Sequence, residues 1–161
     1  MEGRGVHRVA AILNRNARRV SDAIIDGARE ILGADHVFVS ECLEEAGAQI
    51  EEMASRGYET VATGGGDGTV VHAINHLRRA LDGAREPRLA VLKLGTGNGL
   101  RKVVGSGDAL ADLAALANST NTAKIESAPV DLVSVGEEVF FFGGLGFDSA
   151  ILQDYNVVKR K

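Results

Sequence analysis

The sequence has a single cysteine, no long apolar run and no excess of basic residues, and each absence excludes a class of protein. Lone Cys42 cannot form an internal disulfide, which predicts a reducing, cytoplasmic setting. No stretch approaches the ~18 consecutive apolar residues of a membrane span, and no apolar region follows the N-terminal charges, so neither a transmembrane helix nor a signal peptide is predicted. The net charge of −4 argues against nucleic-acid binding, which needs a basic surface.

What is present is an alternation of short apolar runs and amphipathic helical patterns, in a chain of 161 residues that is long enough to bury a core. Strands alternating with helices predict an α/β fold with a doubly wound, mainly parallel sheet and flanking helices. We interpret residues 6–118 as this domain. Residues 119–161 change to extended chain and a hairpin around Gly136, which predicts a linker and the first strands of a β-rich second lobe. The predicted strands of the first part are Val9–Leu13, His36–Ser40, Thr60–Thr63 and Leu89–Leu92.

The most informative stretch is the glycine turn, residues 64–68, which follows the third predicted strand. An amphipathic helix leaves it and is predicted to start at or near Thr69. Glycines let backbone N–H groups approach an anion closely, and a helix N-terminus carries a partial positive charge, so the turn predicts a phosphate site. Because Asp67 would repel a bare phosphate, its presence predicts a divalent cation or a fixed water between them. A turn that is rich in glycine for backbone reasons alone remains the alternative.

A second glycine loop, Gly95-Thr96-Gly97-Asn98, follows the fourth strand. With Gly65-Gly66-Asp67-Gly68-Thr69, it resembles the catalytic domain of the diacylglycerol/lipid kinase family. Residues 14–18 resemble the family's first phosphate-side loop, and Ser40 occupies the place of a nucleotide-contacting Thr. Asp131-Leu132 and Gly146-Phe147-Asp148 resemble its crossing into a β-rich second lobe. In that family ATP lies between the two lobes and its γ-phosphoryl group passes to a lipid hydroxyl.

The resemblance implies ATP and Mg²⁺ as cofactors, with Asp67 as the catalytic residue that holds the metal directly or through water. It implies a lipid alcohol as the acceptor, diacylglycerol first and a sphingoid lipid second, and therefore peripheral membrane contact. The family's general base and structural metal ligands lie beyond residue 161, so the chain alone is predicted to be inactive, and a truncated aromatic strand edge could form a homo-oligomer. The implied nucleotide contacts are Asn14, Arg15, Asn16, Ala17, Arg18, Ser40, Gly65, Gly66, Asp67, Gly68, Thr69, Val70, Val71, Gly95, Thr96 and Asn98.

Two other functions stay open. An NAD kinase-type phosphotransferase shares the Gly-Gly-Asp-Gly core, but its characteristic Asn-Glu pair after the glycine turn is not evident here. The lipid kinases usually have Asn-Glu where this chain has Val71-His72. A non-catalytic nucleotide-binding module is favoured by His72 and by Gly99, which stands where the lipid kinases have an acidic residue.

Three further features have an interpretation without a ligand. His72 and His76 are four residues apart on a helix and could share a metal, but no third ligand is evident, and a solvated helix surface is favoured. The basic residues after the first strand, Arg15, Arg18 and Arg19, could meet phosphates or anionic lipid, or be solvated. Cys42 is interpreted as a small residue either of the core or of the layer that supports the site from behind, because no general-base partner is visible in the sequence.

Overall fold

The computed structural model describes residues 8–96, 99–119 and 126–142. The chain divides into two compact units between Pro129 and Val130. In the described part of the first unit, four strands and five α-helices follow one another, with one 3₁₀ turn at Ala34–His36. They are β1 (Val9–Asn14), α1 (Asp22–Leu32), β2 (Val37–Ser40), α2 (Leu43–Arg56), β3 (Thr60–Gly64), α3 (Asp67–Leu81), β4 (Arg88–Leu92), α4 (Gly99–Val104) and α5 (Ala109–Ala117).

The four strands form one parallel sheet in the order β2-β1-β3-β4. Alternate residues of β1 point to opposite faces, as the period of a strand requires. Ala11 and Leu13 join the apolar cluster with α1 and α5, whereas Ala10 and Ile12 join the cluster with α2 and α3. Helices therefore cover both faces of the sheet, which confirms the predicted α/β class and explains why β1 is apolar at every position except its last.

The helix ends follow local chemistry. The Ser21 hydroxyl accepts the Ile24 N–H at 3.4 Å and caps α1, and Gly33 ends that helix at a φ of 89°, where an L side chain would be strained. Helix α3 begins two residues before the predicted Thr69, because the Gly66 carbonyl already accepts the N–H groups of Thr69 and Val70. Gly66 is thus the N-cap of α3, and Asp67 is its first residue.

Helix α5 has a side-chain N-cap whose contribution to stability can be measured. The Asp108 side chain accepts the Ala111 N–H at 3.0 Å. We expect Asp108→Ala to lower the free energy of unfolding by about 1 kcal/mol, because a backbone N–H group in the first turn of a short helix loses its side-chain acceptor. Urea denaturation measures the change, and Asp108→Asn, which keeps the acceptor, is the matched control. Equal losses in the two variants would contradict capping as the cause.

The second unit is described as far as Phe142 and contains a hairpin. Its strands, β5 (Val133–Val135) and β6 (Glu138–Phe140), are antiparallel, and Gly136 turns between them with a φ of 62°. The predicted hairpin is therefore confirmed. The predicted Gly146-Phe147-Asp148 motif lies outside the described residues.

Candidate functional site

The sheet topology brings the ends of β1 and β3 together. From β1 the chain moves to β2 on one side of the sheet, and from β3 it moves to β4 on the other side. In open α/β sheets this reversal opens a crevice at the carboxyl ends of the strands, where ligands bind. The glycine turn leaves β3 at this place, and Asn14 ends β1 beside it.

The start of α3 presents unpaired hydrogen-bond donors. Among the described residues, none accepts the backbone N–H groups of Gly66, Asp67 and Gly68. A Cβ atom built on Gly66 or on Gly68 meets no atom of the described residues within 4 Å, so that part of the chain leaves open space beside this backbone. Three donors at the N-terminus of a 15-residue helix, with room in front of them, form a site for an anion.

The other two glycines of the turn serve packing. A Cβ on Gly64 would lie 2.4 Å from Leu13 Cδ2, inside the core. A Cβ on Gly65 would lie 2.3 Å from Thr69 Oγ1 and 2.7 Å from Thr69 Cβ. The sequence treats the glycines alike, but the structure divides them into two that let side chains pack and two that face open space.

Asp67 uses its two oxygens differently. Oδ2 accepts the Gly99 N–H at 3.1 Å, which ties the second glycine loop to the first. Oδ1 is shielded from solvent, and no described residue donates to it. An unpartnered carboxylate oxygen fits a hard cation such as Mg²⁺. The described residues hold no cluster of three acidic, His or Cys side chains, so phosphate and water oxygens would complete the shell, as is usual for Mg²⁺.

The loop after β1 is joined to the glycine turn and to β2. The Asn14 Nδ2 group donates to Thr69 Oγ1 at 3.2 Å, and the Arg15 N–H donates to the Ser40 carbonyl at 2.9 Å. The Arg15 guanidinium pairs with Asp22 at 2.6 Å, at the start of α1, while Arg18 is exposed. One basic side chain of this loop is therefore held against a carboxylate, and another is free to meet an anion.

The chain is similar in sequence to a known family of catalytic domains. The sequence model of the diacylglycerol kinase catalytic domain matches residues 8–135, which is most of the chain. The chain belongs to the diacylglycerol kinase catalytic domain family.

Relatives within this family are named as lipid kinases. The chain is 38% identical over 100 residues to a YegS-like lipid kinase of Pseudomonas aeruginosa, covering 60% of this chain and 30% of the relative. It is 35% identical over 118 residues to a YegS-like lipid kinase of Enterobacter sp. (strain 638), covering 69% of this chain and 36% of the relative. The chain thus spans about a third of the length of these curated relatives.

A solved structure shares the fold. It is the crystal structure of a protein named as a diacylglycerol kinase, from Bacillus anthracis str. Sterne, with a TM-score of 0.61 and 24% identity. The match covers 83% of this chain and 48% of that one, and it supports the α/β fold described above. Among the described residues, no helix has the length and apolar content that crossing a membrane requires.

The residues that the family resemblance implies as nucleotide contacts do not all lie at one place. Most of them surround the ends of β1 and β3 and form a first group. In the second, Ser40 and Val70 have exposed fractions of 4% and 0%, so their side chains belong to the interior of the protein. Gly95 is buried, Thr96 is exposed, and Asn98 lies outside the described residues. The remaining members of the first group are Asn16 and Ala17 in the loop after β1 and Val71 on α3.

The sequence favoured a solvated helix surface for the histidine pair, and this prediction is wrong. His72 and His76 are half-buried, with ring centroids 4.3 Å apart, and His72 Nε2 lies 3.1 Å from the Leu43 carbonyl of α2. A Cβ on Gly47 would lie 2.7 Å from His76 Cε1. The pair therefore packs between α2 and α3, where the absent side chain of Gly47 leaves room.

Cys42 is also placed differently from its predicted core position. It is exposed and is the N-cap of α2, where its Sγ accepts the Glu45 N–H at 3.5 Å. The pKa of nearby Glu44 is held below its ordinary value, first by a hydrogen bond from its own backbone N–H and then by one from Cys42. Both effects stabilise an ionised carboxylate in the first turn of α2.

Proposed function

We propose that this chain carries the nucleotide-binding part of an ATP- and Mg²⁺-dependent lipid kinase. The observation that carries the proposal is the start of α3, where three unpaired N–H groups lie beside a shielded, unpartnered oxygen of Asp67. These are the two kinds of group that a magnesium-bound phosphate chain needs. Membership of the diacylglycerol kinase catalytic domain family and relatives named as lipid kinases support the same activity.

In this proposal the residues of the chain position and neutralise the phosphates. The N–H groups of Gly66, Asp67 and Gly68 donate to phosphate oxygens, and exposed Arg18 lies in the adjoining loop. Asp67 Oδ1 holds Mg²⁺, directly or through water, and the bound cation neutralises charge on the phosphates. Phosphoryl transfer depends mainly on such positioning and charge stabilisation. The acceptor is a lipid alcohol, with diacylglycerol the first choice and a sphingoid lipid the second, met by peripheral contact with a membrane.

The test has two parts, binding and transfer. Isothermal titration calorimetry should show Mg-ATP binding more tightly than metal-free ATP, because the cation screens the carboxylate from the phosphates. Labelled ATP with diacylglycerol in mixed micelles should then give no steady phosphorylation by this chain alone. Failure to bind either form of ATP would refute the proposal. Steady lipid phosphorylation would contradict the predicted inactivity, and NAD phosphorylation would favour the NAD kinase-type alternative.

A further inference from the structure

The side-chain amide of Asn14 has only one orientation that satisfies its neighbours. Its Oδ1 atom accepts the Asn16 backbone N–H at 2.9 Å. A backbone N–H can only donate, so the amide oxygen must be on that side and the amide nitrogen must face Thr69. The 3.2 Å contact between Asn14 Nδ2 and Thr69 Oγ1 is therefore a hydrogen bond in which Asn14 donates.

This bond restricts the directions that the Thr69 hydroxyl proton can take. Because Oγ1 accepts from Asn14, its own single proton points away from the amide. Among the described residues, no acceptor takes that proton. The Thr69 side chain itself is closely packed, since a Cβ on Gly65 would come within 2.3 Å of Oγ1.

The first turn of α3 carries both the Thr69 hydroxyl and the anion site described above. Thr69 is the third residue of α3, directly after the unpaired N–H groups of Asp67 and Gly68. A hydroxyl that donates to a charged oxygen makes a stronger hydrogen bond than one that donates to a neutral acceptor. An unoriented hydroxyl would be able to turn its lone pairs to the anion instead.

We propose that Asn14 is a positioning residue that acts through Thr69, by holding the Thr69 hydroxyl as a hydrogen-bond donor to a phosphate oxygen of the ligand. The inference rests on the proposed function, because it takes the ligand to be a nucleotide polyphosphate. It assigns Asn14 an indirect role, whereas the family resemblance implies a direct contact with the nucleotide.

The test is a double-mutant cycle on the dissociation constants of Mg-ATP and of Mg-tripolyphosphate. Asn14→Asp replaces the amide donor by an acceptor, so the Thr69 proton turns towards the new carboxylate and away from the ligand. We expect the affinity to fall about tenfold or more in Asn14→Asp. We expect a similar loss in Thr69→Val, which removes the hydroxyl. The double variant should bind the ligand about as weakly as the weaker-binding single variant, because both changes remove the same interaction.

Controls separate orientation from charge and folding. Thr69→Ser keeps the hydroxyl and should bind within about twofold of the wild-type chain. Asn14→Ala adds no charge, and its smaller loss should also vanish in the Thr69→Val background. Thermal denaturation of every variant identifies any that fails to fold.

The outcomes distinguish this inference from the proposed function. Losses that multiply in the double variant would overturn the role of Asn14 and leave nucleotide binding intact. Binding of tripolyphosphate without binding of ATP would overturn the nucleotide proposal, and the same cycle on tripolyphosphate would still decide the role of Asn14. Absence of binding to either probe by the wild-type chain would overturn both.

Discussion

Asp67→Ala is expected to weaken the binding of Mg-ATP about 10–100-fold and that of metal-free ATP much less, since oxygens that hold or orient a metal contribute this much to its affinity. The reason is the position of Oδ1, which is shielded and has no donor among the described residues. Without a cation the same carboxylate repels the phosphates, so its removal has a compensating benefit for the metal-free nucleotide. Calorimetric titration with and without Mg²⁺ measures both effects.

Two further variants separate the metal from the shape of the turn. Asp67→Asn keeps an oxygen that can accept the Gly99 N–H, but places an amide nitrogen, which is not a Mg²⁺ ligand, at the other position. Asp67→Asn should therefore weaken the binding of Mg-ATP about as much as Asp67→Ala does. Asp82→Asn, at the C-cap of the same helix, keeps a residue that tolerates its φ of 41° and should change neither affinity. Wild-type affinity in Asp67→Asn would mean that Asp67 only shapes the turn.

Gly66→Val is expected to abolish nucleotide binding, with at least about a 100-fold loss, while the protein stays folded, because three N–H contacts to a charged group are blocked together. A Cβ at residue 66 meets no atom within 4 Å in the part of the chain that the structure describes, and the backbone is extended, with φ −89° and ψ −178°. A β-branched residue adopts that conformation without strain. The weaker N-cap and the smaller entropy of the unfolded chain offset each other, so the free energy of unfolding should change by less than about 1 kcal/mol.

Substitution of the neighbouring glycine is expected to have the opposite effect on stability. Gly65→Ala forces its Cβ against the Thr69 Cβ, 2.7 Å away, which cannot move without the helix backbone. Overpacking of this kind costs about 1–3 kcal/mol of stability. Urea denaturation and Mg-ATP titration on both variants check the contrast. Unchanged affinity in folded Gly66→Val would remove the anion site from this turn.

The sequence predicts the fold closely, because each strand is apolar on both faces and each helix carries one apolar stripe. Helix α2 shows the limit of that pattern. Ala46, Ile50 and Met53 recur at helical spacing and are buried, but Leu43, which continues that spacing towards the start of the helix, is 65% exposed. Side chains in a helix lean towards its N-terminus, so one in the first turn extends past the start of the helix, where little covers it.

The candidate site was predicted in its parts but not in its connections. The glycine pattern identifies the turn, yet nothing local says that Gly65 makes room for Thr69 while Gly66 faces open space. That distinction depends on where side chains of α3 lie. The packing of His76 against Gly47 has the same origin, since two helices must be paired before a missing side chain becomes a pocket for a ring. The preferences of single residues do not predict contacts between segments that are distant in the sequence.

The bond between Asp67 and Gly99 joins residues that are 32 apart in the chain. A carboxylate is a rigid plane, so a pull on one oxygen displaces the other. A ligand bound by Oδ1 therefore meets a carboxylate whose other oxygen already holds the N–H of Gly99, the first residue of α4. The N-termini of α3 and α4 are thus joined through a single side chain, that of Asp67.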